Sequence, residues 1–132
     1  MHETPNLTKK LGGPRLFIKR DDLTGVAFGG NKSRKLEFFM GQAKVEGADI
    51  IVSGSGPQSN YSSQCVAAAA RIGLKTILIN WAAEGYKPDE WDGNILLQNM
   101  MGAEIHFETR ETQQKAIEEK AKELRDKGLK PY

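Results

Sequence analysis

The chain has 132 residues, 39% hydrophobic and 27% charged, with a net charge of +2. This is enough chain for one ordinary core and places the protein among globular rather than disordered sequences. The balanced charge argues against a nucleic-acid footprint, the apolar runs are too short for a membrane span, and the N-terminus lacks the apolar core of a secretory signal. A single cysteine, Cys65, excludes an intrachain disulfide and fits a reducing cytoplasm.

Residues 1–14, punctuated by Pro5, Gly12, Gly13 and Pro14, read as an irregular arm. Leu16, Phe17 and Ile18 make 15–19 a short buried strand. A polar, glycine-rich loop over 20–30 then leads into a helix over about 32–46. Asn31 is its expected N-cap, Leu36, Phe39, Met40 and Ala43 recur at helical spacing, and Gly47 is its stop. A regular alternation follows: strand 49–53, helix 58–72 before Gly73, strand 75–79, and a helix from Glu90 or Asn94 to Met101 before Gly102. Strand 103–107 and a polar helix over 112–127 before Gly128 complete it. In that last helix Glu118 with Lys122 and Glu123 with Lys127 are supportive i,i+4 pairs.

The alternation predicts an α/β fold, a three-layer parallel sheet with helices on both faces and right-handed crossovers. Residues 129–132 fall where a further strand is expected, and the strand over 15–19 lacks an evident partner. The expectation is therefore part of a larger molecule. Residues 1–46 would be an arm, strand and helix of one domain, and 47–132 most of a smaller α/β domain.

Two segments carry chemistry. The first turn of the helix after Gly29-Gly30 holds Lys32, Arg34 and Lys35, three cations at the positive end of a helix dipole, where each is unfavourable by about 0.3–1 kcal/mol. Free N–H groups and cations at a helix start suit an anion such as phosphate, and glycine allows close backbone approach. The second segment, Ser53-Gly54-Ser55-Gly56-Pro57-Gln58-Ser59-Asn60, joins a strand's carboxyl end to a helix, where ligands bind in open α/β sheets. Simpler roles stand beside these: a solvated charged turn for the lysines, and helix capping for Ser59 and Asn60. Cys65 reads as core, His106 as an ordinary strand residue, and Trp81 as core or interface. No Cys/His spacing suggests zinc, and no complete dinucleotide or Walker pattern follows a strand.

Three motifs in order, KRDDLTG over 19–25, GGNKSRKLEF over 29–38 and GPQSNYSSQ over 56–64, resemble the pyridoxal-phosphate enzymes grouped as D-cysteine desulfhydrases and 1-aminocyclopropane-1-carboxylate deaminases. The resemblance runs from about Pro14 to Tyr132 and covers the N-terminal part of such enzymes. It implies a tryptophan-synthase-β-like (fold type II) architecture, a cytoplasmic lyase or deaminase acting on a small amino acid, and pyridoxal 5'-phosphate as cofactor. Lys32 resembles the lysine that forms a Schiff base with the cofactor aldehyde, a role that needs an amine able to lose its proton.

Asn60 resembles the asparagine on the cofactor's phenolic oxygen, and Lys35 a lysine near its phosphate. Ser59 resembles a hydroxyl that touches substrate and takes part in cyclopropane opening. Gln58 and the amides of 56–59 would hold the substrate carboxylate, and Tyr61 would face the substrate where relatives often carry histidine or glutamine. Arg34 either pairs with Asp21 or Asp22 or faces the cofactor. Asn80-Trp81 resembles an Asn-Trp of the cyclopropane deaminases. The family also implies a homodimer and a downstream half with the phosphate cup, the group facing the pyridine nitrogen and the tyrosines. The reading of a different class is a non-catalytic α/β binding module derived from this family.

Overall fold

Three parallel strands carry the architecture, in the order β3-β4-β5: β3 (Ile50–Ser53), β4 (Lys75–Trp81) and β5 (Glu104–Glu108). Ile50 aligns with Lys75 and Ile77 with Glu104. The computed structural model describes residues 1–86, 88 and 91–132. Each strand feeds a helix: α3 (Asn60–Arg71), α4 (Gly93–Met100) and α5 (Gln113–Asp126).

The period of two along the strands sorts the core into two layers. Ile50, Val52, Ile77 and Ile79 meet Leu124, Ala116 and Ile117 of α5 on one face. On the other, Ile51 packs with Cys65 and Ala69 of α3 and with Leu36, Met40 and Ala43 of α2 (Lys32–Val45). Leu78 joins Val66 and Ala103 there. The central strand is buried from Thr76 to Asn80, and each such aliphatic side chain contributes about 1.5–3 kcal/mol. This is the three-layer α/β arrangement that the sequence alternation predicts.

The arm departs from expectation. It contains β1 (His2–Glu3) and α1 (Pro5–Leu11), with Pro5 in the first helical turn and Gly12 in a left-handed C-cap. β1 pairs antiparallel with β2 (Phe17–Ile18), so the strand expected over 15–19 has a partner after all. It is not buried: Phe17 is 47% and Ile18 46% exposed, and among the described residues no third strand joins this two-stranded ribbon.

Other boundaries move by a residue or two. α3 begins at Asn60 rather than Gln58, β4 continues to Trp81, and α4 is described from Gly93, so an onset at Glu90 lies outside the described residues. On the free edge of β3, Pro131 forms a parallel bridge with Ile50, where a further strand is expected. Tyr132 N donates to Ile50 O at 3.0 Å and Val52 N to Tyr132 O at 2.9 Å. In α5, Lys127 pairs with Glu123 as expected, while Glu118 accepts from Gln114 instead. His106 pairs with Glu104 on the surface at 2.6 Å. Among the described residues no helix is long and apolar enough to cross a membrane.

Candidate functional site

The loop over 54–59 leaves the carboxyl end of β3 and is fastened to the end of β4. Ser55 N donates to Asn80 Oδ1 at 3.2 Å, and Trp81 N donates to Ser55 O at 2.8 Å. Gln113, the first residue of α5, reaches under the loop and donates to Ile79 O at 2.7 Å. The loop then tightens, with Ser59 N donating to Gly56 O at 3.1 Å. Ser59 is extended and its Oγ accepts from Tyr61 N (3.1 Å) and Ser62 N (3.4 Å), which starts α3. Because Oγ accepts twice, its own proton is free to be donated. Trp81 covers the loop: a Cβ on Gly56 would lie 3.2 Å from its ring, and the Arg110 guanidinium stacks on that ring at 4.5 Å.

The start of α2 is built differently. Asn31 already has helical torsions and its side chain caps nothing, contrary to expectation. The cap comes from α3 instead. Buried Gln64 accepts from Ser33 N at 2.8 Å, while Ser33 Oγ donates to Gly30 O at 2.9 Å. Gly30 has φ +125°, and a Cβ there would lie 2.7 Å from Gln64 Nε2. Gly29, at φ +78°, packs directly against the Asp22 carbonyl. The Gly29-Gly30 pair is thus required twice, by torsion and by space.

Lys32 sits half-buried in this first turn. The loop acids engage the other cations: Arg34 reaches Asp21 at 3.3 Å, Lys19 reaches the same carboxylate at 3.7 Å, and Arg20 holds Asp22. Arg34 therefore takes the ion-pairing role. Lys32 has no ion pair among the described residues. Lys35 lies with Nζ 4.3 Å over the Tyr61 ring, a cation–π contact joining α2 to α3.

A third element enters through residues that sequence reasoning missed. Asn94, near the start of α4, donates from Nδ2 to Gln58 O and to Asn60 Oδ1, both at 2.9 Å. Its backbone N donates to Gln58 Oε1 at 2.7 Å, and Gln58 Nε2 donates to Asp92 Oδ1 at 2.9 Å. Both ends of the Gln58 amide are therefore engaged within the protein. Fully buried Gln98 donates to Pro57 O (3.2 Å) and Ser63 Oγ (3.3 Å) and accepts from fully buried Asn80 (3.3 Å). Gln64 closes the motif over 56–64 and Asn80 belongs to the Asn80-Trp81 pair, but the bonds these two make have no local signal, and Asn94 and Gln98 lie outside the three motifs.

Tyr61 and Cys65 line a cavity of about 210 Å³ with Phe39, Met40, Ile51, Val52, Ser53 and Tyr132. Burial pushes the Cys65 thiol up to about 11, opposed by Lys35 and by a hydrogen bond with Tyr61. Burial first, and the neighbouring Cys65 second, also raise Tyr61, keeping it a neutral phenol. Cys65 is a core residue, as its apolar helix face predicts.

Of the site residues read from sequence, Ser59, Asn60, Gln58 and Tyr61 come together at the start of α3, and Lys35 joins them through Tyr61. Lys32 is tied to this group through the Ser33–Gln64 bond, without a direct hydrogen bond to Ser59 or Asn60 among the described residues. The features define a class: an α/β domain presenting an amine at one helix start and a hydroxyl- and amide-rich turn at another, beside the carboxyl ends of parallel strands.

The chain belongs to the pyridoxal-phosphate dependent enzyme family, whose model matches residues 1–132. It is 40% identical over 133 residues to a 1-aminocyclopropane-1-carboxylate deaminase of Burkholderia ambifaria, covering 96% of this chain and 39% of that protein. The crystal structure of an ACC deaminase homologue superposes with a TM-score of 0.83 at 38% identity, covering 99% of this chain and 39% of the other. A pyridoxal 5'-phosphate-dependent aspartate racemase shares the fold, at a TM-score of 0.65 and 18% identity over 98% of this chain and 38% of that one. The chain thus spans about two fifths of the length of these proteins.

Proposed function

We propose that this chain supplies the lysine-bearing part of a pyridoxal-phosphate-dependent lyase or deaminase acting on a small amino acid. Two parent reactions fit the family: 1-aminocyclopropane-1-carboxylate and water to 2-oxobutanoate and ammonia, or D-cysteine and water to pyruvate, sulfide and ammonia. The observation that carries the reading is the pairing of two helix starts, one bearing Lys32 and the other Ser59-Asn60, locked together by Gln64 on Ser33 N.

The donor set suits the cofactor: a half-buried primary amine, an exposed carboxamide and a hydroxyl with a free proton answer an aldehyde, a phenolic oxygen and a carboxylate. When bound, pyridoxal phosphate supplies the electron sink for bond cleavage beside the substrate amine. Lys32 Nζ would bind the aldehyde carbon and, once released, carry protons to and from the substrate. Ser59 Oγ would donate to the substrate carboxylate or approach the reacting carbon. Asn60 would donate to the phenolic oxygen, and Lys35, held over Tyr61, would add positive charge for the phosphate. Tyr61 would form a neutral wall against the substrate.

The test is to incubate the chain with pyridoxal phosphate, reduce with borohydride and map the modified lysines by peptide mass spectrometry. Selective label at Lys32 is expected, and label spread over many lysines would refute the reading for this chain. The isolated chain is expected to show negligible turnover, so sulfide release from D-cysteine at a rate typical of a full-length enzyme would contradict it.

A further inference from the structure

We propose that Asn94 is a positioning residue that holds the Asn60 carboxamide with its NH2 group turned away from α4, as a donor toward the open side of the 54–59 loop. That this donor meets the cofactor's phenolic oxygen rests on the function proposed above; the orientation itself does not. It follows from an unbroken chain of donors and acceptors. The Gln58 carbonyl can only accept, so the Asn94 side-chain atom 2.9 Å from it is the amide nitrogen. That nitrogen carries a second proton, and the Asn60 atom 2.9 Å away must therefore accept it, which makes it Oδ1. The NH2 of exposed Asn60 is the end left over.

The staple that holds Asn94 is determined in the same way. A backbone N–H can only donate, so Asn94 N at 2.7 Å fixes Gln58 Oε1, and the Asp92 carboxylate at 2.9 Å takes Gln58 Nε2. Gly93 makes the approach possible: its φ is +46°, and a Cβ there would lie 2.6 Å from Gln58 Oε1. Every side-chain proton of Asn94 and both ends of Gln58 are used inside the protein. These two amides hold one another and orient Asn60. Of the three amides Asn60 keeps a donor with no partner among the described residues, and without Asn94 its amide has no reason to prefer one face over the other.

Side-chain NH2 exchange with water, followed by NMR in the 15N-labelled, cofactor-free chain, tests the orientation. The Asn94 amide is expected to exchange at least about tenfold more slowly than that of Asn60, as befits bonded against free protons. Asn60→Asp keeps an acceptor facing Asn94 and leaves its exchange slow; Asn60→Leu removes that acceptor and speeds exchange of the Asn94 proton that faced it, while the proton on Gln58 O stays bonded. Equal rates at the two amides, or slow exchange at Asn60 with fast exchange at Asn94, would overturn the proposal.

The link to the cofactor is read from the fraction of Lys32 labelled by pyridoxal phosphate and borohydride. Asn94→Ala is expected to lower it about fivefold, the effect of one hydrogen bond, and to lower it no further in an Asn60→Leu background. An equal loss in both backgrounds would mean that Asn94 acts on the loop as a whole, which overturns the proposal. If the unaltered chain takes no label at Lys32, the cofactor reading falls, and the exchange rates still decide the orientation.

Discussion

The two helix starts that make up the site are built by opposite means. α3 caps itself, with Ser59 Oγ accepting from amides two and three residues ahead. α2 is capped from outside, by a glutamine 31 residues further along the chain and buried in the neighbouring helix. The first start is a local property that any peptide with that turn can sample. The second exists only once α2 and α3 have packed. The lysine is therefore held by tertiary structure, and the hydroxyl by its own neighbours. Self-capping makes Ser59 robust, while the borrowed cap ties the place of Lys32 to the position of α3.

The largest expected effect breaks the comparison at its chemical end. Lys32→Ala should abolish the specific pyridoxal-phosphate label seen after reduction while leaving the circular dichroism spectrum unchanged. Gln64→Leu comes next. It preserves much of the shape but leaves Ser33 N–H buried and unpaired, at a cost of about 1–3 kcal/mol in urea unfolding, and it should reduce the label on Lys32 as well.

Ser59→Ala should cost about 0.5–2 kcal/mol, with Ser59→Asp restoring most of it, since the cap needs only an acceptor at that position. If Ser59→Ala displaced Lys32 as much as Gln64→Leu does, the distinction between local and borrowed caps would be wrong. The smallest effect is confined to alkali. Burial raises the Cys65 thiol from about 9 to about 11, so its contribution to stability is full below about pH 9 and lost as pH climbs through about 11. Iodoacetamide should accordingly label native Cys65 far more slowly than the urea-unfolded chain at pH 8.

The same contrast explains what could be read in the sequence. Strand and helix periods with glycine stops gave the βα units, because those signals lie within one element. The arm departs from its irregular sequence pattern although Pro5 and Gly12 stand where a short helix begins and ends. Its loop residues point to irregularity, and the apolar triplet over 16–18 points to burial that the two-stranded ribbon does not give Phe17 and Ile18. At the site, Lys32, Ser59 and Asn60 stand out through their motifs. Gln64 closes the third motif, yet its role, like those of Asn94 and Gln98, is not legible there, because these roles depend on partners 31 to 41 residues away. Asn31 is a cap by residue type alone, and a cap supplied by another helix is invisible to that rule.

The sheet order also sets a timetable for folding. Each strand pairs with its predecessor, so the sheet grows by closing short βα connections, each at modest entropic cost. α2 precedes all of this in the chain, yet its first turn cannot settle until Gln64 is in place on α3. A segment made before the sheet is thus finished after it, and the first turn of α2, bearing Lys32, is expected to open before the sheet does when the protein unfolds.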